Sequence, residues 1–157
     1  MATIRQFEEM IVWKKSRELT REIYKSFRNC RDYGFKDQIQ RASVSIMSNI
    51  AEGFERGTKQ EFINYLYIAK GSAGEVRAQL YVALDAGYLN VEVFKYLSSL
   101  VSECSRLLQS FITKVKTSQL QGLQYKKEKK KDPEWEKFLE RFGMIEDERG
   151  WIKKKEA

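Results

Sequence analysis

Glu52 and Glu55, one helical turn apart, and Glu52 paired with Glu75 are the residues whose type and spacing could carry acid/base chemistry. Two carboxylates in unlike surroundings can divide the roles of proton donor and acceptor. Such a pair also needs a nucleophile, metal or cofactor beside it. The chain of 157 residues contains no histidine and two cysteines, Cys30 and Cys104. That removes Ser-His-Asp and Cys-His nucleophile systems, the Glu-x-x-His di-iron pair and the His-Glu-x-x-His zinc site. The carboxylates therefore read as solvated or structural, with no catalytic residue, cofactor or metal expected. Two cysteines without metal-ligand spacing fit a reducing cytosol.

Binding chemistry has more material. There are 29 basic and 22 acidic residues, a net charge of +7, which favours anionic partners. Lys14, Lys15, Arg17, Arg21, Arg28 and Arg31 lie on or beside one N-terminal helical segment, with Arg5 before it. Glu8, Glu9, Glu18 and Glu22 interleave with them, so a phosphate-binding stripe and a solvated, salt-bridged face are both open. The sharpest cluster is Lys126, Lys127, Lys129, Lys130 and Lys131. Trp13, Tyr24, Tyr65, Tyr67, Tyr81 and Tyr88 could stack on bases, although aromatics at helical spacing more often serve a core or subunit interface.

These residues need elements to position them. The single proline is Pro133, so nothing before it breaks a helix by ring closure. Val12, Ser16, Leu19, Ile23 and Phe27 line a first helix, and Tyr33-Gly34 breaks the pattern. Phe35, Ile39, Ala42, Ile46, Ile50 and Gly53 line a second. Thr58 and Glu61 form a capping box that opens a third, with Phe62, Leu66, Ala69, Ala73, Val76, Leu80 and Ala83 as its seam. Gly87 and Asn90 mark the next connection. Phe94, Leu97, Val101, Cys104, Leu108, Phe111 and Val115 make the fourth seam. The expected fold is all-α, an antiparallel up-down-up-down four-helix bundle over residues 1–118.

A basic linker, 119–132, then leads to a short additional C-terminal helix and tail, 133–157. Asp132 would be that helix's N-cap, Pro133 its first residue and Gly143 its end. Trp135, Phe138, Leu139, Phe142, Trp151 and Ile152 give the tail an apolar stripe, expected to dock on the bundle or a neighbouring subunit. No stretch approaches the roughly 18 apolar residues of a membrane span. Glu8 and Glu9 stand where a signal peptide would be apolar, so a soluble, cytoplasmic chain without a membrane partner is expected.

Two segments are rich in small residues. QIQRASVSIMSNIAEGFERG, residues 38–57, carries Ala42, Ser43, Ser45, Ser48, Ala51 and Gly53, and AKGSAGE, residues 69–75, carries Gly71 and Gly74. Each mid-helix glycine costs about 1 kcal/mol relative to alanine. An antiparallel hairpin turning near Gly57 sets Ser45 opposite Gly71, and Arg41 opposite Gly74 and Glu75. A close crossing is expected there, with an Arg41–Glu75 ion pair and with Asn49 hydrogen-bonded near Leu66. Arg41, Asn49, Glu52, Ser72 and Glu75 read as a structural polar network fixing helix register. A ligand or nucleic-acid contact is the alternative.

The run Gln38, Arg41-Ala42, Ser45-Ile46, Asn49-Ile50-Ala51-Glu52-Gly53, then Glu61-Phe62, Ala69, Gly71-Ser72 and Glu75, resembles the signature of the 23S ribosomal RNA intervening-sequence, or S23, family. Trp13-Lys14 and Tyr33-Gly34 are similarly placed, and the resemblance covers residues 7 to about 115. Met47 stands where members usually carry proline, so a kink expected there is missing. The resemblance implies a bacterial antiparallel four-helix bundle, often a ring of about five subunits, without established catalysis. Accessory proteins of diversity-generating retroelements, bundles that bind nucleic acid and a reverse transcriptase, are similar in architecture. A homo-oligomer binding RNA or DNA through a basic surface is therefore expected, with a reverse transcriptase or other nucleic-acid enzyme as the protein partner. The alternative is a protein-interaction scaffold whose charge aids only solubility.

Overall fold

With no proline before Pro133, apolar steps of three and four run uninterrupted through four long helices. The computed structural model describes residues 4–118, 133–146 and 152–154. After a 3₁₀ turn at Phe7–Glu9 come α1 (Ile11–Ser26), α2 (Tyr33–Glu55), α3 (Lys59–Asp85) and α4 (Val91–Thr117). These belong to one compact unit, Met1–Gln124; Tyr125–Ala157 form a second. In the second, α5 (Pro133–Arg141) is followed by a hairpin the sequence pattern did not announce. Its strands β1 (Met144–Glu146) and β2 (Ile152–Lys154) pair antiparallel, with Ile145 opposite Lys153. The α5 helix begins at Pro133 as expected, and Phe138 and Phe142 bring their rings to 4.9 Å. Asp132, Lys126 to Lys131 and Trp151 lie outside the described residues.

In the first unit α1 packs on α2 and α4, and α3 packs on the same two, closing a square. Partners run in opposite chain directions. Phe27 meets Phe35 and Thr20 meets Ser43 across α1 and α2. Phe54 meets Phe62 and Ser45 meets Ser72 across α2 and α3, while Tyr81 meets Phe94 and Lys70 meets Gln109 across α3 and α4. The bundle is therefore antiparallel throughout. The expected seams are inside: Leu19, Ile23, Ile46, Ile50, Leu66, Leu80, Leu97 and Leu108 are fully buried. Each such side chain contributes about 1.5–3 kcal/mol. No helix among the described residues is long and apolar enough to cross a membrane.

Local chemistry sets the helix ends. Thr58 Oγ1 accepts from the Glu61 N–H at 3.2 Å, and the Thr58 hydroxyl donates to Glu61 Oε2 at 2.7 Å, a side-chain variant of the box. Asn90 caps α4 through the Val93 N–H at 2.8 Å. The start of α2 differs from expectation: Tyr33 and Gly34 are its first residues, because the Asp32 carboxylate accepts from the Phe35 N–H at 3.0 Å. The α2 helix runs unbroken past Met47. Gly57 and Gly87, at φ of 78° and 74°, supply the left-handed turns that follow α2 and α3.

The small-residue crossing also differs. A Cβ at Gly71 or Gly74 would meet nothing within 4 Å. Since Ala69, Ser72, Ala73 and Val76 face inward, a helix of 3.6 residues per turn must turn positions 71 and 74 outward. The close approach is at Gly53, where a Cβ would lie 2.5 Å from the Tyr65 Cβ.

Candidate nucleic-acid interface

Helical geometry sorts the charges of α1 that the linear sequence mixes. Val12, Ser16, Leu19, Thr20 and Ile23 are buried, whereas Lys14, Arg17, Arg21, Lys25 and, just past the helix, Arg28 follow one another outward and are exposed. Their steps of three and four make one basic stripe. Glu18 falls on the flank of Lys15 instead, whereas Glu22 borders the stripe and pairs with two of its cations, Arg21 and Lys25. Lys15 Nζ lies 2.8 Å from Glu18 Oε2 and 3.5 Å from Glu103 Oε2 on α4. The Glu18 hydrogen bond raises the Lys15 pKa above its ordinary value. Lys15 thus ties α1 to α4 and stands apart from the stripe. Partial burial opposes ionisation of Glu22, but bonds from Lys25 and Arg21, both at 3.3 Å, outweigh it and keep its carboxyl below the ordinary range.

The C-terminal part of the stripe forms one wall of a cleft between α1 and α2 of about 380 Å³, lined by Arg21, Tyr24, Lys25, Arg28, Lys36 and Gln40. No carboxylate lines it. Below it the two helices are cross-tied, since the buried Thr20 hydroxyl points at Ser16 O (2.9 Å) and Ser43 O (3.0 Å). Lys36 Nζ donates to Arg28 O at 2.9 Å, which sets the lysine against the end of α1. The side chains of Tyr24, Arg28 and Gln40 make no hydrogen bond among the described residues. Lys25, Lys36 and Gln40 were not among the sequence candidates. Lys25 fits the α1 stride; Lys36 and Gln40 become partners only once α2 folds back along α1.

Of the remaining basic candidates, Arg17 holds its guanidinium 5.8 Å from the Trp13 ring centre, and Arg31 is exposed in the α1–α2 loop. Several aromatic candidates are occupied. The Tyr65 hydroxyl donates to Glu52 at 2.9 Å and the Tyr88 hydroxyl to Asp32 at 2.7 Å. Tyr67 accepts from Lys116 at 2.7 Å, and Trp13 packs against Phe7 with ring centres 5.1 Å apart.

The polar network lies on the seam between α2 and α3, with altered pairing. Arg41 and Glu75 line one cleft of about 540 Å³ with Asp37, Gln38, Ala42 and Ser45, yet they form no ion pair. Arg41, its side chain 81% exposed, approaches Asp37 on its own helix at 3.9 Å, and Glu75 accepts from Gln79 at 3.3 Å. Both prefer a neighbour one turn away, which requires less ordering of long side chains. Asn49 donates to Ser45 O and Ser45 Oγ, at 2.8 and 3.0 Å, so its partner is on α2 and not beside Leu66. Glu52 accepts from Arg56 at 2.8 Å and from Tyr65. Arg56, then Tyr65, holds its carboxyl below the ordinary range. Glu75 sits level with Arg41, about three turns along α2 from Glu52, so these carboxylates form no pair.

Residues 8–110 match the model of a family described as 23S rRNA-intervening sequence protein. The chain belongs to that family. A similar solved structure is the crystal structure, at 1.70 Å, of a protein of unknown function from the S23 ribosomal protein family of Bacteroides thetaiotaomicron VPI-5482. It is 29% identical with a TM-score of 0.61, covering 65% of this chain and 98% of that one. No curated protein matches. The basic stripe, its cleft and the α2–α3 polar seam all lie inside the S23 match, whereas Tyr125–Ala157 lie beyond it.

Proposed function

We propose that this S23-family chain is a non-enzymatic, homo-oligomeric bundle that binds RNA or DNA through the basic face of α1. The supporting observation is the sorting of Lys14, Arg17, Arg21, Lys25 and Arg28 onto one exposed stripe on which Glu22 pairs with Arg21 and Lys25 only, leaving Lys14, Arg17 and Arg28 without a carboxylate partner among the described residues. Phosphates are its natural complement, and any ring of subunits repeats the patch by symmetry. Self-association is supported by the outward face of α3. There Ile68 and Val82, two turns either side of the exposed Glu75, are about half exposed, and a Cβ at Gly71 or Gly74 would meet nothing within 4 Å among the described residues. A ring of about five copies is the S23 expectation. An accessory role beside a reverse transcriptase or another nucleic-acid enzyme accommodates both surfaces.

The exposed Ile68 and Val82 on α3 also favour a second reading, a protein-interaction scaffold whose charge serves solubility. Affinity for a structured RNA at two salt concentrations separates the two. The nucleic-acid reading expects log affinity to fall with log salt by about 0.7–0.9 per phosphate neutralised. Absence of binding at low salt overturns it and leaves the scaffold.

A further inference from the structure

We infer that the α1–α2 cleft takes one unpaired nucleotide of a nucleic-acid strand, with its base on Tyr24 and its phosphates on the surrounding cations. The inference rests on the nucleic-acid reading above and narrows it to single strands. A surface meant only for duplex phosphates needs cations alone. This cleft adds Tyr24, a residue 47% exposed, and a Gln40 amide, which join the Arg28 guanidinium as polar side chains without a hydrogen-bond partner among the described residues. Tyr24 sits one turn from Arg28, and Lys36 lines the cleft from α2; neither cation pairs with a carboxylate among the described residues, whereas Arg21 and Lys25 share Glu22, so a base stacked on the ring leaves its flanking phosphates to Arg28 and Lys36. Gln40, on the facing helix, offers a donor and an acceptor to the exposed edge of that base. A volume of about 380 Å³ falls within the roughly 300–1,000 Å³ of small-ligand clefts. It suits one nucleotide. A duplex keeps its bases stacked inside and presents such a cleft only with phosphates.

Fluorescence anisotropy with a short labelled RNA strand and with the duplex of the same sequence tests this in the full chain. The single strand should bind about tenfold tighter than the duplex. Tyr24→Ala should lose about tenfold on the strand and nothing on the duplex, while Tyr24→Phe keeps wild-type affinity. Because Tyr24 is exposed and unbonded, an unchanged melting temperature confirms intact folding. Arg28→Ala combined with Lys36→Ala should weaken both ligands and lower the salt slope by about two. Equal affinity for strand and duplex, with Tyr24→Ala silent, overturns the inference and leaves the basic-face function standing. Loss of all binding at low salt overturns both. Adenosine monophosphate binding as tightly as the strand would overturn the strand as ligand in favour of a free nucleotide.

Discussion

The hydroxyls of Ser45 on α2 and Ser72 on α3 lie 2.9 Å apart, at the centre of a four-group relay. Asn49 donates to Ser45, and Ser72 donates to Ile68 O at 3.2 Å. These fixed ends orient the middle, so Ser45 donates to Ser72. Chains of aligned hydrogen bonds strengthen one another in surroundings of low polarity. Ser72→Ala should therefore destabilise the fold by about 1 kcal/mol, and Ser45→Ala by about 1–2 kcal/mol because it removes two bonds. In a double-mutant cycle by urea denaturation, the combined loss should be smaller than the sum of the single losses. Strict additivity would show that the two hydroxyls act independently.

Glycine substitutions should move in opposite directions. Gly53→Ala forces a methyl group onto Tyr65 and should destabilise by about 1–3 kcal/mol. Gly71→Ala and Gly74→Ala meet open space and should each stabilise the isolated chain by up to about 1 kcal/mol. If the α3 face is the subunit contact, the same two changes lower the native mass. Unchanged assembly with both methyl groups present would place the contact elsewhere.

Asp32 joins two loops, since it caps α2 and accepts from Tyr88 in the α3–α4 connection. The Phe35 N–H, then the Tyr88 hydroxyl, hold its carboxyl below the ordinary 3.8, and Asp32 in turn raises the Tyr88 phenol above 10.0. A depressed carboxyl contributes its stability above the unfolded value and loses it as pH falls through the folded one. The raised phenol contributes below its unfolded value and loses it as pH rises through the folded one. The stability difference between wild type and Tyr88→Phe should therefore stay flat from about pH 5 to 9 and shrink on acidification toward about pH 3. Thermal denaturation across that range checks it; a difference that grows on acidification contradicts the assignment.

The two thiols should react unequally. Cys104 is fully buried on α4, and burial pushes its thiol up to about 12. Cys30 is half-buried in the α1–α2 loop. Iodoacetamide near pH 8 should add one label to the folded chain and two in denaturant, counted by mass, because only the thiolate attacks. Two labels on the folded chain would mean that α4 opens readily.

Apolar periodicity made the four helices legible, because each seam residue repeats at a spacing only a helix brings to one face. The start of α2 was hidden because Asp32 caps without a glutamate three positions later, the sign that exposed Thr58. Gly71 and Gly74 misled because a glycine that permits close packing and one that faces outward look alike in a linear chain; only the phase set by Ala69, Ala73 and Val76 separates them. The candidate cleft was half visible. Arg21 and Arg28 stand on the helix that carries the stripe, whereas Lys36 and Gln40 arrive through tertiary pairing.

The same phase makes a last contrast among adjacent lysines and arginines. Lys14 and Arg17 point outward on the stripe, while Lys15, between them in sequence, is held by Glu18 and Glu103. A cation already neutralised by two carboxylates releases no counterion from nucleic acid. Lys14→Ala and Arg17→Ala should each lower the salt slope of RNA binding by about one, and Lys15→Ala should leave it unchanged. Lys15→Ala should instead loosen α1 from α4, read as faster amide exchange along α1 at unaltered RNA affinity. A Lys15→Ala chain with the slope loss of Lys14→Ala would place the nucleic acid on the α1–α4 flank and remove the α1–α2 stripe as the interface.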